Sequence, residues 1–266
     1  MKFRRAVILA ASLAMLSGLA CASESVSDLN ENVPGLTGRS WLDLLKQAMP
    51  DLKPGDPKSD QAAVATQAKS MRPMPPGSEP LDPSRPIEIA RLATARVEID
   101  GKPRWIVLGE QDSFEAAPLM LFEADGEGKL LDVVDTVGDM HTDMDLNGPV
   151  ALGAAGAVVG VRNWHDNSNE SFNQLMLLLV AKDRFSLVTE TGAYGSRSKD
   201  KDETAEASFA VRPDGGRALA RIDTLVKQRT QRLAGDFQTP IGKPVVELFR
   251  ASYRWNAAKR QYEKAR

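Results

Sequence analysis

The chain of 266 residues has a single cysteine, Cys21, and only two histidines, His141 and His165. An intrachain disulfide needs two cysteines, so the fold must be stabilised by core packing alone. Because Cys21 lies at the end of an N-terminal apolar run, a cysteine nucleophile in the folded body is excluded. The pentapeptide Gly-x-Ser-x-Gly is also absent, which argues against a serine hydrolase of the strand-turn-helix type.

The N-terminus has the pattern of a bacterial secretory signal over residues 1–20. Lys2, Arg4 and Arg5 precede an apolar run that is too short to span a bilayer comfortably, and small residues follow it. The segment 16–21 reads LSGLAC and resembles the lipobox of bacterial lipoproteins, although Gly18 stands where that pattern prefers a larger aliphatic residue. The resemblance implies acylation of Cys21 and a stable membrane anchor.

The resemblance also bears on localisation. The residue after the cysteine is Ala22 and not an aspartate, which in that pattern favours an outer-membrane lipoprotein. The alternative is ordinary cleavage after Ala22, since Ala20-Cys21-Ala22 also reads Ala-x-Ala. That cut would give a soluble periplasmic or secreted protein.

The charge balance argues against nucleic acid as a partner. Removal of the three basic residues of the signal changes the net charge from −2 to −5. A mildly acidic chain has no electrostatic attraction for nucleic acid or for an anionic lipid surface. The partners we expect are therefore the membrane, through the lipid anchor, and an envelope protein or glycan.

Residues 21–86 are predicted to be a tether. Residues 21–39 are small and polar, and residues 50–86 contain nine prolines, which favour an extended spacer. Between them, residues 40–49 predict a short amphipathic helix with Ser40 as its N-cap, Asp43 three residues on, and Pro50 ending it. Docking of this helix on the body is the default expectation. The folded domain is predicted to begin near Pro86.

Residues 87–266 predict a mainly β domain of about ten strands. Apolar residues alternate with polar ones in short runs, and turn residues such as Asp100-Gly101 separate them at hairpin distances. No convincing helix follows residue 87, so the crossovers of a parallel sheet are missing. We expect an antiparallel sandwich or open barrel, with the unbroken apolar run 175–180 as a strand buried on both faces. The segment 218–226 fits both a strand and a helix, and the nearby turn spacing favours a strand.

A candidate metal site is suggested by strict alternation in the segment 139–147. In an extended chain the odd positions share one face, and Asp143-x-Asp145-x-Asn147-Gly148 matches the opening of a calcium-binding loop. The match then stops, because Pro149 follows the glycine and Ala154 replaces the closing acid. His165 begins a second loop rich in oxygen ligands, so calcium or zinc are the candidate ions. The candidate ligands are Asp139, His141, Asp143, Asp145, Asn147 and His165.

The simpler interpretation of the same residues is structural, and it is the one we favour. Asn and Asp are common turn formers, so the alternating segment predicts a solvated face that ends in an Asn-Gly turn. Gly153, Gly156 and Gly160 fit neither a dinucleotide nor a Walker phosphate loop, and they are better explained by close strand packing. No permanent cofactor is expected on this interpretation.

Two functions remain open at this point. The anchor signal, the proline-rich spacer and the missing nucleophile favour a non-catalytic cell-envelope lipoprotein with a β-rich binding module. The alternative is a periplasmic metal-dependent hydrolase that uses His141, Asp143, Asp145 and His165.

Overall fold

The computed structural model describes most of the chain from residue 23 onward. The predicted signal peptide, Cys21, Ala22, Asp139 and Asn147 lie outside the described residues. The described ranges are 23–55, 62–65, 71–74, 86–111, 116–136, 140–145, 148–167 and 170–265.

Strands dominate the described chain, and the predicted mainly β, antiparallel fold class is confirmed. The one described α-helix, α1, is Trp41–Leu45, and no described helix is long and apolar enough to cross a membrane. The strands are β1 Glu24–Val26, β2 Lys53–Pro54, β3 Ala63–Ala65, β4 Arg72–Pro73, β5 Ile87–Ile89, β6 Arg91–Ile99, β7 Lys102–Glu110, β8 Pro118–Glu123, β9 Leu130–Asp135, β10 His141–Met144, β11 Val150–Gly153, β12 Gly156–Asp166, β13 Glu170–Ala181, β14 Arg184–Ser198, β15 Lys201–Arg212, β16 Arg221–Leu233, β17 Pro240–Asn256 and β18 Gln261–Lys264.

These strands form three sheets that pack as a sandwich-like body. A six-stranded sheet has the order β1-β6-β7-β8-β9-β4, with β4 parallel to β9. A nine-stranded sheet has the order β10-β12-β13-β14-β15-β16-β17-β18, with β11 also paired to β12. The third sheet is β2-β3-β5. Within the described ranges no sheet closes into a barrel.

The first interlayer core lies between the six-stranded sheet and β12–β14. Every second side chain of β6, such as Ala95 and Val97, points into this core. Every second side chain of β12 and β13, such as Val161 and Leu178, packs there from the opposite side. Because side chains alternate across a strand, this core uses only one face of β13. Burial of such apolar surface stabilises the fold by roughly 25 cal/mol per Å².

The second interlayer core lies on the opposite face of β13. Leu175, Leu177 and Leu179 pack there against Ala207 of β15 and Ile222 of β16. The nine-stranded sheet therefore folds back on itself, and the prediction that 175–180 is buried on both faces is confirmed. The sheet bends at the junction of β14 and β15, which share only three residue pairs: Ser196↔Glu203, Arg197↔Asp202 and Ser198↔Lys201.

The ambiguous segment after residue 218 is a strand, as the turn spacing favoured. Residues Arg221–Leu233 pair with β15 on one side and β17 on the other. A tight Lys182-Asp183 turn joins β13 to β14, with positive φ angles of 51° and 59° at its two residues.

The prediction of a tether over residues 21–86 is wrong for residues 23–55, which pack on the folded body. β1 pairs with β6, and α1 docks through Trp41, whose ring centroid lies 5.3 Å from that of Trp105. The capping box of Ser40 and Asp43 is formed as predicted, but the helix ends at Leu45 and not at residue 49. The boundary at Pro86 also does not hold, since β2, β3 and β5 form one sheet across it. A third apolar core joins residues 23–55 to Trp105 and Phe122 of the six-stranded sheet. The residues of 23–55 that are buried in it are Val26, Leu29, Val33, Leu36, Trp41, Leu44, Leu45, Ala48, Met49 and Leu52.

This correction has a physical reason. The buried side chains of residues 23–39 are single apolar residues in an irregular chain, separated by turns at Gly35 and Gly38 that have positive φ. No helical or strand period connects them, so an argument from periodicity sees only a polar segment.

Candidate functional site

The alternating segment is extended, but the two histidines do not come together. β10 pairs with β12 so that His141 lies opposite Trp164, and their rings stack with centroids 4.2 Å apart. His165 follows Trp164 in β12 and therefore points to the other face of the sheet, where its ring lies 6.0 Å from that of Phe172. A single metal site that uses both histidines is not built by this arrangement.

The two described aspartates of the segment are bound by arginines. Arg91 Nη2 lies 3.1 Å from Asp143 Oδ1, and Trp164 Nε1 donates a hydrogen bond of 2.5 Å to Asp143 Oδ2. Arg162 binds Asp145 through Nε at 2.7 Å and Nη2 at 2.6 Å. The negative charge that would attract a cation is therefore balanced by guanidinium groups.

No group of three or more His, Cys, Asp or Glu side chains suited to a metal ion occurs in the part of the chain that the structure describes. Asp139 and Asn147 lie outside that part. The four described members of the predicted set, His141, Asp143, Asp145 and His165, do not form one site.

Glu110, at the end of β7, is a charged residue of this region that the sequence did not single out. Its side chain is almost buried, Arg91 Nε donates to its Oε2 at 2.5 Å, and the backbone N–H of Met144 donates to its Oε1 at 3.1 Å. Burial raises the pKa of Glu110, and the nearby carboxylate of Asp143 also raises it, while Met144 and Arg91 oppose this shift. The carboxylate joins β6, β7 and β10, so its observed role is structural.

Glu110→Gln is expected to weaken the pH dependence of stability. The native carboxyl ionises at a higher pH than the unfolded one, so its ionisation lowers the free energy of unfolding as pH rises above the ordinary value of 4.5. Glutamine keeps an oxygen that can accept from Met144 but does not ionise. Urea unfolding at pH 4 and pH 7 measures the change. The exposed Glu247→Gln is the control, and an unchanged pH slope in Glu110→Gln would contradict this role.

A second feature of the surface is a long stretch of β17 that lies open to solvent. β16 pairs along one edge of β17, while on the other edge β18 covers only Tyr253–Asn256. The open strip is defined here as residues 245–251 of β17. It presents four large apolar side chains with exposed fractions of about one half: Val245 62%, Val246 48%, Leu248 49% and Phe249 53%.

The apolar side chains of the open strip occupy both faces of the sheet. Val245 and Phe249 lie opposite Thr230 and Val226 of β16 on one face, and Val246 and Leu248 project on the other because side chains alternate. An exposed apolar edge strand is an aggregation hazard unless a partner covers it. The strip therefore has the properties of a binding surface.

The preceding part of β17 is protected against strand pairing. Pro240 and Pro244 have no backbone N–H, and Lys243 adds a charge. Gly242 has φ of +69°, and the register with β16 shifts between Thr230 and Arg232. Prolines, charge and a bulge are the usual devices that block an edge, so only the open strip is left available.

Neither a protein-family model, a curated protein nor a solved structure matches the chain. The function is therefore inferred from the side chains themselves. Glu110 of β7 and Asp143 of β10 are both paired with Arg91. The open strip, in contrast, has exposed apolar side chains and a backbone edge that no described strand pairs with. The open strip is therefore a better candidate for a functional site than the acidic residues of β7 and β10.

The local sequence of β17 does not reveal how exposed the strand is. Alternation of Phe249, Tyr253 and Trp255 predicts one buried face, and Tyr253 and Trp255 do pack on the second interlayer core. Phe249 is exposed because the facing layer does not extend over it. The length of a facing layer is set by tertiary packing, so no local signal in β17 reveals it.

Proposed function

We propose that the chain is a non-catalytic cell-envelope lipoprotein, anchored through acylated Cys21, whose folded body binds another envelope protein. The observation that supports this proposal is the open strip, four half-exposed apolar side chains on an edge strand. An exposed apolar edge strand is a ready template for pairing with a strand of another chain. The arginine-bound carboxylates of Asp143 and Asp145 favour a binding function over a hydrolytic one.

The partner segment we infer is an extended strand that adds to β17 beside the open strip. β18 already pairs with the end of the same edge, and beyond it the backbone N–H of Ala265 donates to the carbonyl of Ser252 at 2.7 Å. A partner strand would continue this ladder along residues 245–251, a length of about 23 Å. In such β-augmentation, backbone hydrogen bonds supply affinity and side-chain positions supply specificity.

The side chains of the strip define the chemistry of that strand. Apolar residues must occur on both of its faces to cover Val245 and Phe249 on one and Val246 and Leu248 on the other. Opposite charges across a strand pair are favourable, so we expect a basic residue near Glu247 and an acidic one near Arg250 in this partner.

Site-specific photo-crosslinking in intact cells tests this proposal. A photoreactive residue at position 248 of the full-length protein is expected to give one discrete adduct with another envelope protein. The paired change Val245→Lys and Phe249→Lys should abolish that adduct, because it places two charges against an apolar strand. Melting temperature should hardly change, since both residues are half-exposed.

Two controls make the experiment decisive. The same photoreactive group at exposed Glu98 of β6 should not give the adduct. Cys21→Ala should move the protein from the membrane fraction to the soluble one, which tests the anchor separately. An adduct that persists in the double variant Val245→Lys with Phe249→Lys, or that forms equally from position 98, would contradict binding at the strip.

A further inference from the structure

A cleft opens beside the second interlayer core, lined by apolar side chains and by several cationic ones. Its volume is about 620 Å³, within the range of sites that bind small molecules. It lies between the β13–β14 turn, β4, residues 218–219 and the turn that follows β17.

The interior of this cleft is apolar. Phe185, Leu179 and Leu219 are buried side chains at its base, and Trp255 and Leu187 are partly exposed along its walls. Such a surface favours the aliphatic or aromatic part of a ligand, because transfer of apolar area from water is favourable.

The rim of the cleft is cationic. Arg72, Lys182, Arg184 and Arg260 line it, against the single carboxylate of Asp100. Arg72 is paired with Asp132 at 2.6 Å. Across the described ranges no ion pair joins Lys182, Arg184 or Arg260 to a carboxylate. The cleft is therefore locally positive on a chain whose net charge is −2.

The β13–β14 turn holds part of this rim in place. Lys182 adopts a positive φ in the two-residue turn, and Asp183 binds Arg104 Nε at 2.8 Å. The backbone N–H of Phe185 donates to Asp132 Oδ2 at 2.8 Å, and Arg72 Nη2 donates to the carbonyl of Phe185 at 3.3 Å. The ion pair of Arg72 and Asp132 thus caps the open edge of β14 and fixes the backbone next to Arg184.

We propose that this cleft binds an amphiphilic anion, an acyl chain that carries a single negative headgroup. The apolar interior takes the chain, and Lys182, Arg184 and Arg260 at the rim bind the headgroup through charge-assisted hydrogen bonds. The proposal rests on the cleft and not on the open strip, so the two stand or fall separately. A free fatty acid and a phospholipid share this chemistry.

Titration calorimetry with matched amphiphiles tests the inference. The protein is the full mature chain with Cys21→Ala, and the probes stay below their micelle concentrations. Dodecanoate is expected to bind one to one, whereas dodecyltrimethylammonium, with the same tail and the opposite charge, should bind at least about tenfold more weakly. Acetate, which has no tail, should not bind measurably.

Variants locate the site. Arg184→Glu with Arg260→Glu should weaken dodecanoate binding by about tenfold or more, and Lys199→Glu with Lys227→Glu, the same charge change at exposed positions outside the cleft, should not. Equal binding of the two dodecyl probes, or no effect of the Arg184 and Arg260 changes in a folded protein, would overturn the inference. Dihexanoyl phosphatidylglycerol distinguishes the sources: tighter binding than dodecanoate indicates a phospholipid headgroup, and weaker binding indicates a free acid.

Discussion

Replacing Arg162 by methionine is expected to lower the free energy of unfolding by about 3 to 5 kcal/mol. The side chain of Asp145 is only 1% exposed, and Arg162 binds its Oδ2 through two nitrogens. Methionine keeps much of the aliphatic volume but leaves a buried carboxylate without its arginine. Removing one partner of a buried ion pair costs far more than the pair contributes, because the remaining charge stays desolvated.

Chemical denaturation of the variant measures this loss. The double change Arg162→Met with Asp145→Asn removes both charges and should recover a large part of the stability. Arg197→Met is the surface control, since Arg197 lies 3.9 Å from Asp202 in an exposed pair, and it should change stability by no more than about 0.5 kcal/mol. A loss in Arg162→Met as small as that of the control would show that the pair does not hold β12 to the segment after β10.

Substitution of Gly160 should be nearly as damaging. A Cβ atom at this position would lie 2.9 Å from Asp145 Cβ, 3.2 Å from Phe209 Cε1 and 3.3 Å from Leu175 Cδ1. These three neighbours belong to different segments, so no single side chain can move to make room. Gly160→Ala is expected to cost about 1 to 3 kcal/mol, and Gly160→Val more than Gly160→Ala.

Gly215→Ala is the matched control for Gly160→Ala. A Cβ at Gly215 meets nothing within 4 Å, and the residue lies in an exposed turn. Thermal unfolding should therefore show a lower melting temperature for the Gly160 variants and little change for Gly215→Ala. Equal melting temperatures for the two alanine variants would mean that the layers around Gly160 can relax at little cost.

The β architecture after residue 87 could be predicted because each strand carries its own local signal. Alternation fixes the two faces of β6, and the apolar run of β13 indicates burial on both faces. The turns at Asp100-Gly101 and Lys182-Asp183 set the hairpins. The burial of the described residues 23–55 is not visible in the sequence, because it depends on where β6 and Trp105 lie, which is tertiary information.

The candidate sites were less predictable than the fold. His141 and Asp143 share a face, as the alternation required, but the sequence does not show that Arg91 and Trp164 bind Asp143. Glu110 ends an apolar strand, which is a weak signal for a buried acid. The exposure of Val245 and Phe249, and the cleft beside the β13–β14 turn, depend on how far one layer extends over another.

The three residue pairs that join β14 to β15 have a mechanical consequence. Two well-paired ladders, β12–β14 and β15–β18, are connected through a short junction, so the junction can act as a hinge between them. Outside this junction the ladders are joined by apolar contacts and by the hydrogen bond that Thr189 Oγ1 of β14 donates to the hydroxyl of Tyr253 of β17 at 2.8 Å. Leu179 and Arg184 of the first ladder and Trp255 and Arg260 of the second line the same cleft. A molecule that fills this cleft would therefore contact both ladders at once.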